Sequence, residues 1–282
     1  MSSRKLQTDW GEGSIMGVEW NGTTFDVRTD EVGRSPLRSL ISGELPTVKL
    51  RNLFDESEVE DGRARLLEQR NKAAVTQYNN GSLTLLGTFL VKNLGRLDAY
   101  FDEAAMHEEQ FQSWGFGMAG VARERLRSTL QLGSFDVARQ GEGRAFASSN
   151  VRICSNNVDT PLHNDFIMRD GVGHDVVLKD LRHQLSCVIC LQGPGEGGEL
   201  SVYRKRWGPE DERFKIPGGL GYDSGVVEGK ACHRLRPKTG DVYLLNPTYY
   251  HAVERVAGRE RITLGFFFGF FDDALEHGVA WV

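Results

Sequence analysis

The sequence predicts a mainly β protein of α+β class, with an antiparallel barrel or jelly roll in its second half and supporting helices in its first half. After residue 145, short apolar strands follow one another between Gly- and Pro-rich turns, with no helix between them. Before it, several segments consist of good helix formers. A length of 282 residues suits one large domain. We therefore expect one domain over 1–282, with a helix-rich supporting region (1–144), a β core (145–270) and a C-terminal tail (271–282).

Five strands are predicted in the second half from runs of apolar and β-branched residues. They cover 149–154, 184–191, 198–205, 241–246 and 261–270. The segment 203–230 interrupts this pattern, and from residue 207 onward it is rich in Gly and charged residues. Because such a loop is too long for a hairpin turn, we expect it to form a lid over a site.

Three helices are predicted in the first half from their helix-forming composition. They cover 63–78, 95–111 and 121–132. A short strand within 45–54 precedes the first of them, and Asp55 is placed to cap the helical segment that follows.

Composition and charge exclude several classes of function. The formal net charge of −5 argues against a surface that wraps a nucleic-acid backbone, which needs clustered Lys and Arg. No apolar run approaches the roughly 18–20 residues of a membrane span, and residues 1–13 lack the apolar stretch of a signal peptide. We expect a cytoplasmic protein with a small-molecule substrate and no nucleic-acid or membrane partner. The sequence leaves the oligomeric state open.

Two of the four cysteines, Cys187 and Cys190, form a C-x-x-C motif of the kind found in redox and zinc sites. They lie in an apolar run that is typical of a buried strand, where residues three apart point to opposite faces. We interpret both as buried small hydrophobic side chains.

The pair His163 and Asp165 carries the main chemical signal. On an extended strand, residues two apart point to the same face, so this imidazole and this carboxylate can reach one metal ion. Chance alone supplies such a pair in a chain of this composition, so the motif is weak by itself. A second pair, His107 and Glu109, lies in a predicted helix, where positions two apart diverge. We interpret that second pair as solvated helix surface.

Residues further along the chain strengthen the metal interpretation. His251 supplies a second imidazole, Arg261 opens a strand ten residues later, and Thr263 lies on the same face as Arg261. Two histidines and one carboxylate on one face of an iron(II) ion leave positions open for a chelating 2-oxo acid and O2. Arg261 can clamp the far carboxylate of 2-oxoglutarate, and Thr263 can donate a hydroxyl to it. The alternatives are a structural salt bridge from Arg261 to Glu254 or Glu260, and an ordinary strand position for Thr263.

At this point the sequence resembles a known family. The segments TPLHND (160–165), GGEL (197–200) and PKTGDVYLLN…HAVERV…RERITL (237–264) are similar to the iron(II)/2-oxoglutarate-dependent oxygenase superfamily. Within it, GGELSVYRKRW and HQLSCVI resemble the small carrier-free group that includes the welwitindolinone halogenase and the N-acyl amino acid hydroxylases. The resemblance implies a double-stranded β-helix, a distorted cupin-like jelly roll, with Fe(II), 2-oxoglutarate and O2. It gives the metal role to His163, Asp165 and His251, and the 2-oxoglutarate role to Arg261.

One position departs from the halogenases of that group, which carry Gly or Ala where this chain has Asp165 and so free a site for chloride. The resemblance therefore implies a hydroxylase of an unactivated C–H bond, coupled to decarboxylation of 2-oxoglutarate to succinate and CO2. The substrate would be an amino-acid derivative, a nucleoside or nucleotide, or a natural-product intermediate, and desaturation or cyclisation stays open. The alternatives are the same chemistry on a protein side chain, or a cupin-type metal-binding isomerase or binding module without 2-oxoglutarate.

Four residues are candidates for the substrate pocket. Phe166 directly follows the metal motif, and Leu86 and Thr88 belong to a stretch (83–89) that the resemblance places in a pocket wall. Arg204 begins a basic cluster at the end of a predicted strand. That cluster is either a solvated strand end or a clamp for an anionic substrate.

Overall fold

The computed structural model describes residues 19–79, 81–141 and 143–282, and all statements of structure below concern these residues. They form five α-helices and 18 strands. The helices are α1 Ser35–Ser42, α2 Glu56–Glu68, α3 Leu97–Ser113, α4 Met118–Thr129 and α5 Ile167–Asp170. The strands are β1 Thr23–Asp26, β2 Thr47–Arg51, β3 Ala74–Tyr78, β4 Gly81–Leu86, β5 Ser134–Val137, β6 Arg139–Gln140, β7 Arg144–Ala145, β8 Asn150–Cys154, β9 Thr160–His163, β10 His183–Gln192, β11 Glu196–Gly197, β12 Leu200–Arg206, β13 Cys232–Leu235, β14 Val242–Leu245, β15 Tyr249–Val253, β16 Val256–Ala257, β17 Arg261–Phe270 and β18 His277–Trp281.

Two sheets dominate the fold. The larger one has the order β1-β2-β14-β10-β17-β8-β4-β3, and β18 adds to β17 and carries β5 on its other side. The smaller one has the order β13-β12-β15-β9 and is antiparallel throughout. The larger sheet is also antiparallel, apart from the pairs β1–β2 and β5–β18. The five strands predicted in the second half are confirmed as β8, β10, β12, β14 and β17.

Strand β14 shows how the sheets and helices share the core. Val242 and Leu244 pack in the cluster that contains the helices, whereas Tyr243 and Leu245 pack toward the smaller sheet. Because alternate residues of a strand point to opposite faces, a strand buried on both faces has an uninterrupted apolar sequence. The helix-side cluster takes Leu37 and Leu40 from α1, Val59 and Leu66 from α2, and Ala122 and Leu126 from α4.

The start of α2 follows the predicted cap. Asp55 is its N-cap residue, and the Asp55 backbone N–H donates to the Glu58 carboxylate at 2.8 Å. The Glu58 carboxylate also accepts two hydrogen bonds from Arg125 of α4, at 2.6 and 2.8 Å. This bidentate contact fixes α2 against α4 on the outside of the larger sheet.

The helix predicted over 63–78 is wrong in its second half. Helix α2 ends at Glu68, and Ala74–Tyr78 forms β3, which pairs with β4 in an antiparallel hairpin. Val75 and Thr76 are β-branched and favour extended backbone, and the partner strand supplies the ladder of hydrogen bonds that a helix would have made internally. The other two helices are confirmed as α3 and α4, with α4 beginning earlier than predicted.

The C-terminal tail and the insert 203–230 both contain regular structure. Part of the expected C-terminal tail, His277–Trp281, is strand β18 of the larger sheet. The insert 203–230 contains two short 3-10 turns, Pro209–Phe214 and Ser224–Val227, and its apolar residues form a small cluster with Leu162.

In the part of the chain that the structure describes, no helix has the length and apolar character needed to cross a bilayer.

Candidate metal centre

The structure brings His163, Asp165 and His251 together at one point. His163 ends β9, His251 lies in β15, and the two are direct partners across the antiparallel ladder, with ring centroids 4.2 Å apart. Both Nε2 atoms lie 3.7 Å from Oδ2 of Asp165. The three ligand atoms are all within 4.8 Å of one another, so one metal ion can reach all three.

The two imidazoles are oriented by the backbone. Nδ1 of His163 lies 2.8 Å from the Pro161 carbonyl oxygen, and Nδ1 of His251 lies 2.9 Å from that of Tyr249. Since a carbonyl oxygen can only accept, each Nδ1 carries the proton and each Nε2 keeps its lone pair for a metal. Burial, helped by the neighbouring His163, lowers the pKa of His251 to about 3, so this ring is neutral at physiological pH.

A cavity between the two sheets adjoins these ligands. Its walls take Asn150, Arg152 and Cys154 from β8, and Arg261 and Thr263 from β17. On the opposite side lie the two histidines of the smaller sheet. The alternation predicted for β17 therefore holds, because Arg261 and Thr263 face the same space.

Arg261 is buried in this wall without an acidic partner. Its Nη2 donates to the Tyr243 hydroxyl at 2.6 Å, and its Nε has no hydrogen-bond partner within the described chain. The acids considered as structural partners are engaged elsewhere. Glu260 pairs with Arg70 at 2.5 Å and Glu254 with Arg234 at 3.7 Å. A buried guanidinium with an unpartnered Nε donor beside an open cavity suits an anionic ligand.

Leu86 and Thr88 do not lie in the wall of this cavity. Leu86 pairs with Val151, and both side chains point into the helix-side core. The hydroxyl of Thr88 donates to Glu103 at 2.8 Å and accepts from Asn93. The predicted pocket wall therefore fails for the described cavity, because the register of β4 turns Leu86 toward the helices.

Phe166 and Arg204 also lie outside the lining of the cavity. Phe166 precedes α5, and its ring sits under the Arg169 guanidinium at 5.9 Å. Arg204 is exposed and lies over the Trp20 ring at 5.8 Å. The basic cluster at the end of β12 is divided between opposite faces of the strand, so Arg204 does not act with its neighbour Lys205, which pairs with Asp211.

The insert packs directly on β9, the strand that carries His163. The Tyr222 backbone N–H donates to the Leu162 carbonyl at 2.8 Å, one residue before His163. Gly221 has a φ of +81°, and a Cβ built there would lie 2.1 Å from the same carbonyl oxygen. Only glycine fits this close approach, so the insert packs tightly against β9 at Leu162.

Sequence reasoning missed several residues of the wall, namely Asn150, Arg152, Tyr243 and Cys154. Alternation along SNVRIC does show that Asn150, Arg152 and Cys154 share a face. Which of the two faces is turned toward the cavity depends on how β8 pairs with β17, and the sequence does not display that pairing.

Comparison with known proteins identifies the family. The family described as carrier-protein-independent halogenase WelO5 matches residues 21–276. The chain belongs to this family. The match confirms the resemblance to the carrier-free group of iron(II)/2-oxoglutarate oxygenases.

Two curated proteins are similar in sequence. The chain is 25% identical over 186 residues to the leucinostatins biosynthesis cluster protein S of Purpureocillium lilacinum. This match covers 64% of this chain and 74% of that protein. It is 34% identical over 114 residues to an L-gamma-glutamyl-L-propargylglycine hydroxylase of Streptantibioticus cattleyicolor. That second match spans 40% of this chain and 41% of the relative.

A solved structure shares the fold. The N-substituted L-amino acid dioxygenase of Burkholderia ambifaria superimposes with a TM-score of 0.59 at 16% identity, over 88% of this chain and 91% of that chain. Its complex with α-ketoglutarate gives a TM-score of 0.58, also at 16% identity, over 87% and 90% of the two chains. The chain therefore has the mixed α and β fold of this oxygenase, with a large β content.

Proposed function

We propose that this protein is an Fe(II)/2-oxoglutarate-dependent dioxygenase that hydroxylates an unactivated C–H bond of a small molecule. The observation that carries the proposal is the convergence of His163, Asp165 and His251 on one point, beside a cavity lined by Arg261, which has no acidic partner among the described residues. Membership of the family supports the cofactor requirement. We also propose that the two sheets are the walls of a double-stranded β-helix, with the cavity between them.

The three ligand groups fit iron(II). Two imidazole nitrogens and one carboxylate oxygen form the two-histidine, one-carboxylate donor set that would leave positions open on iron. Both imidazoles are pre-oriented by their Nδ1 hydrogen bonds to backbone carbonyls. Such outer hydrogen bonds keep the ring in the tautomer that a metal needs.

The cavity wall fits the distal carboxylate of 2-oxoglutarate. Arg261 offers a planar, permanently charged guanidinium group, and Tyr243 accepts a hydrogen bond from its Nη2. Thr263 lies on the same strand face as Arg261. When bound, iron and 2-oxoglutarate supply an oxidant that removes hydrogen from an unactivated C–H bond, with succinate and CO2 as coproducts. The chain itself binds and orients both molecules, and we propose that the insert 203–230 excludes water by covering β9.

Asp165 favours hydroxylation over the halogenation for which the family is described. Its carboxylate oxygen lies 3.7 Å from both imidazole nitrogens, where it would serve as the third protein ligand of a bound metal. A halide would need that position. Halogenation stays the second candidate because the family description names it.

A small-molecule substrate suits a cavity that lies between two sheets. The names of two similar proteins, an L-gamma-glutamyl-L-propargylglycine hydroxylase and an N-substituted L-amino acid dioxygenase, agree with an amino-acid derivative as the substrate. A protein side chain as the target would require an open groove at this position.

The proposal is tested by following the oxygen atoms. Purified protein is incubated with Fe(II), 2-oxoglutarate and ¹⁸O₂, without a prime substrate, and succinate is analysed by mass spectrometry. We expect slow formation of succinate that contains one ¹⁸O atom and that stops when iron is chelated. Absence of labelled succinate from iron-loaded protein would contradict the proposal and favour a metal-binding protein without oxygenase chemistry.

A further inference from the structure

Strand β8 contributes a second polar pair to the metal cavity, Asn150 and Arg152. They are two residues apart and both line the cavity, so they point the same way with roughly 7 Å between them along the strand. Across the ladder, Arg152 faces Thr263 and Asn150 faces Gly265. Neither residue belongs to the proposed metal ligands or to the proposed clamp for the distal carboxylate of 2-oxoglutarate.

The carboxamide of Asn150 is buried and has no partner for its Nδ2. The residue is 2% exposed, and Nδ2 makes no hydrogen bond within the described residues. Gly265 opposite it has no side chain, and even a Cβ there would stay 4.0 Å from Asn150 Oδ1. Since buried polar groups in folded proteins are almost always satisfied, an unpartnered donor in a cavity wall indicates a ligand acceptor.

Arg152 is partly buried and is also unpaired. It takes part in no ion pair across residues 19–79, 81–141 and 143–282, unlike Arg169, which pairs with Asp170 at 2.6 Å. A free guanidinium that lines a cavity is therefore available to an anionic ligand.

The charges of the cavity indicate what that ligand is. Iron(II) and the guanidinium groups of Arg152 and Arg261 are positive, whereas Asp165 is negative. Once the dianion 2-oxoglutarate is bound, one positive charge stays uncompensated. An unbalanced charge among buried groups is unfavourable, so the remaining molecule in this space is best a monoanion.

We propose that the substrate is a carboxylate, bound by Arg152, and that Asn150 donates from Nδ2 to a second acceptor on the same molecule, such as an amide carbonyl. This inference rests on the proposed function, because the metal and 2-oxoglutarate set the charge balance. The pair on β8 then fixes the substrate against one wall, and the metal faces it from the other sheet.

The test is an anaerobic binding titration on protein loaded with Fe(II) and 2-oxoglutarate. The probes are matched acids and primary amides, beginning with N-acetyl-L-leucine and N-acetyl-L-leucinamide and extending to the glycine and phenylalanine analogues. Binding is read from the change in the visible charge-transfer band. We expect the acid of at least one pair to bind at least about tenfold more tightly than its amide.

Four variants test which residues cause the acid to bind more tightly than its amide. Arg152→Gln is expected to abolish the preference for the acid, whereas Arg152→Lys should keep part of it. Asn150→Asp replaces the donor with a carboxylate and should weaken acid binding by at least about tenfold. The control Arg234→Gln removes an exposed arginine outside the cavity and should leave the preference unchanged.

Several outcomes would overturn the inference. Equal binding of acids and amides, or no binding of any acid while the band is present, contradicts a carboxylate substrate. If Arg152→Gln weakens binding of 2-oxoglutarate as strongly as Arg261→Gln does, Arg152 serves the cosubstrate and the inference is wrong. A missing band in the wild-type protein is a different result, because it contradicts the proposed function itself and the inference with it.

Discussion

Arg261 and Tyr243 are joined by a 2.6 Å hydrogen bond from the guanidinium Nη2 to the phenol oxygen, inside the wall of the cavity that adjoins His163 and His251. Burial raises the pKa of Tyr243 to about 12, so the phenol is neutral and holds the guanidinium without cancelling its charge. The fold therefore keeps a buried positive charge available to a ligand, at a cost in stability.

This arrangement predicts that Arg261→Met separates stability from binding. Without 2-oxoglutarate, the free energy of unfolding of the variant should equal that of the wild type or exceed it by roughly 1–4 kcal/mol, because an uncompensated buried charge is removed. Stabilisation by 2-oxoglutarate should disappear. Urea unfolding of iron-loaded protein under anaerobic conditions, with and without 2-oxoglutarate, measures both effects. The control is Arg70→Met, at a half-exposed arginine that pairs with Glu260, which should keep the stabilisation. A loss of stability in ligand-free Arg261→Met would make Arg261 a structural residue.

The carboxylate of Asp165 predicts how the protein responds to halide. In Asp165→Gly, one position on the metal is opened, so chloride or azide should alter the charge-transfer band, while affinity for Fe(II) falls by at least about tenfold. The wild-type band should be insensitive to chloride. Asp159→Gly changes a neighbouring aspartate that pairs with Arg255 at 3.7 Å and serves as the control. A chloride effect of equal size in the wild type would mean that Asp165 does not occupy the metal.

The insert contacts β9 at Gly221. Alanine at this position should therefore weaken Fe(II) binding more than alanine at another glycine of the insert. Gly221 and Gly229 both have positive φ, at +81° and +69°, so alanine costs about 1–2 kcal/mol at either position. Only at Gly221 would the new Cβ meet a backbone, namely the Leu162 carbonyl oxygen at 2.1 Å. We expect Gly221→Ala to lose several-fold more Fe(II) affinity than Gly229→Ala, as measured by competition with a chromogenic chelator. Similar metal affinities in both variants would contradict a role of the insert in positioning His163.

The contact between Glu58 and Arg125 predicts a dependence of stability on pH. The Arg125 hydrogen bonds hold the pKa of Glu58 at about 2, below its ordinary value of 4.5. A carboxylate with a lowered folded-state pKa stabilises the protein above its ordinary pKa, and this contribution is lost as the pH falls through the lower value. Glu58→Gln should thus be less stable than wild type by about 0.5–1 kcal/mol at neutral pH, since the pair is partly exposed. The difference should shrink between pH 4.5 and 2, as followed by urea unfolding midpoints.

Glu56→Gln is the matched control for this pH series. Glu56 lies in the same first turn of α2 but belongs to no ion pair in the described structure. A difference between wild type and Glu58→Gln that stays constant down to pH 2 would contradict the assigned pKa shift.

Residues that share a strand face could be predicted from sequence, because a period of two needs no knowledge of the fold. His163 with Asp165, and Arg261 with Thr263, were found in this way. The pairing of β9 with β15, which places His251 opposite His163, is a contact between distant segments and is not encoded in any local pattern.

The placements that sequence could not predict all depend on how distant strands pair. Leu86 was placed in a pocket wall, but a strand can turn either face inward, and the register with β8 decides which. For the same reason Asn150 and Arg152 could not be assigned to the cavity. In the segment 63–78, helix-forming residues were followed by a β-hairpin whose stability comes from its partner strand, so local propensity gave the wrong element.

The central claim is that His163, Asp165 and His251 hold one iron(II) to which 2-oxoglutarate binds with its far carboxylate on Arg261. The most direct measurement is anaerobic titration of metal-free protein with Fe(II) and then 2-oxoglutarate, followed in the visible spectrum, for wild type, His251→Ala and Arg261→Gln. We predict a charge-transfer band in the wild type that needs both additions, is missing in His251→Ala, and requires far more 2-oxoglutarate in Arg261→Gln. Iron-loaded wild type without a band, or a band unaffected by either substitution, would contradict the account.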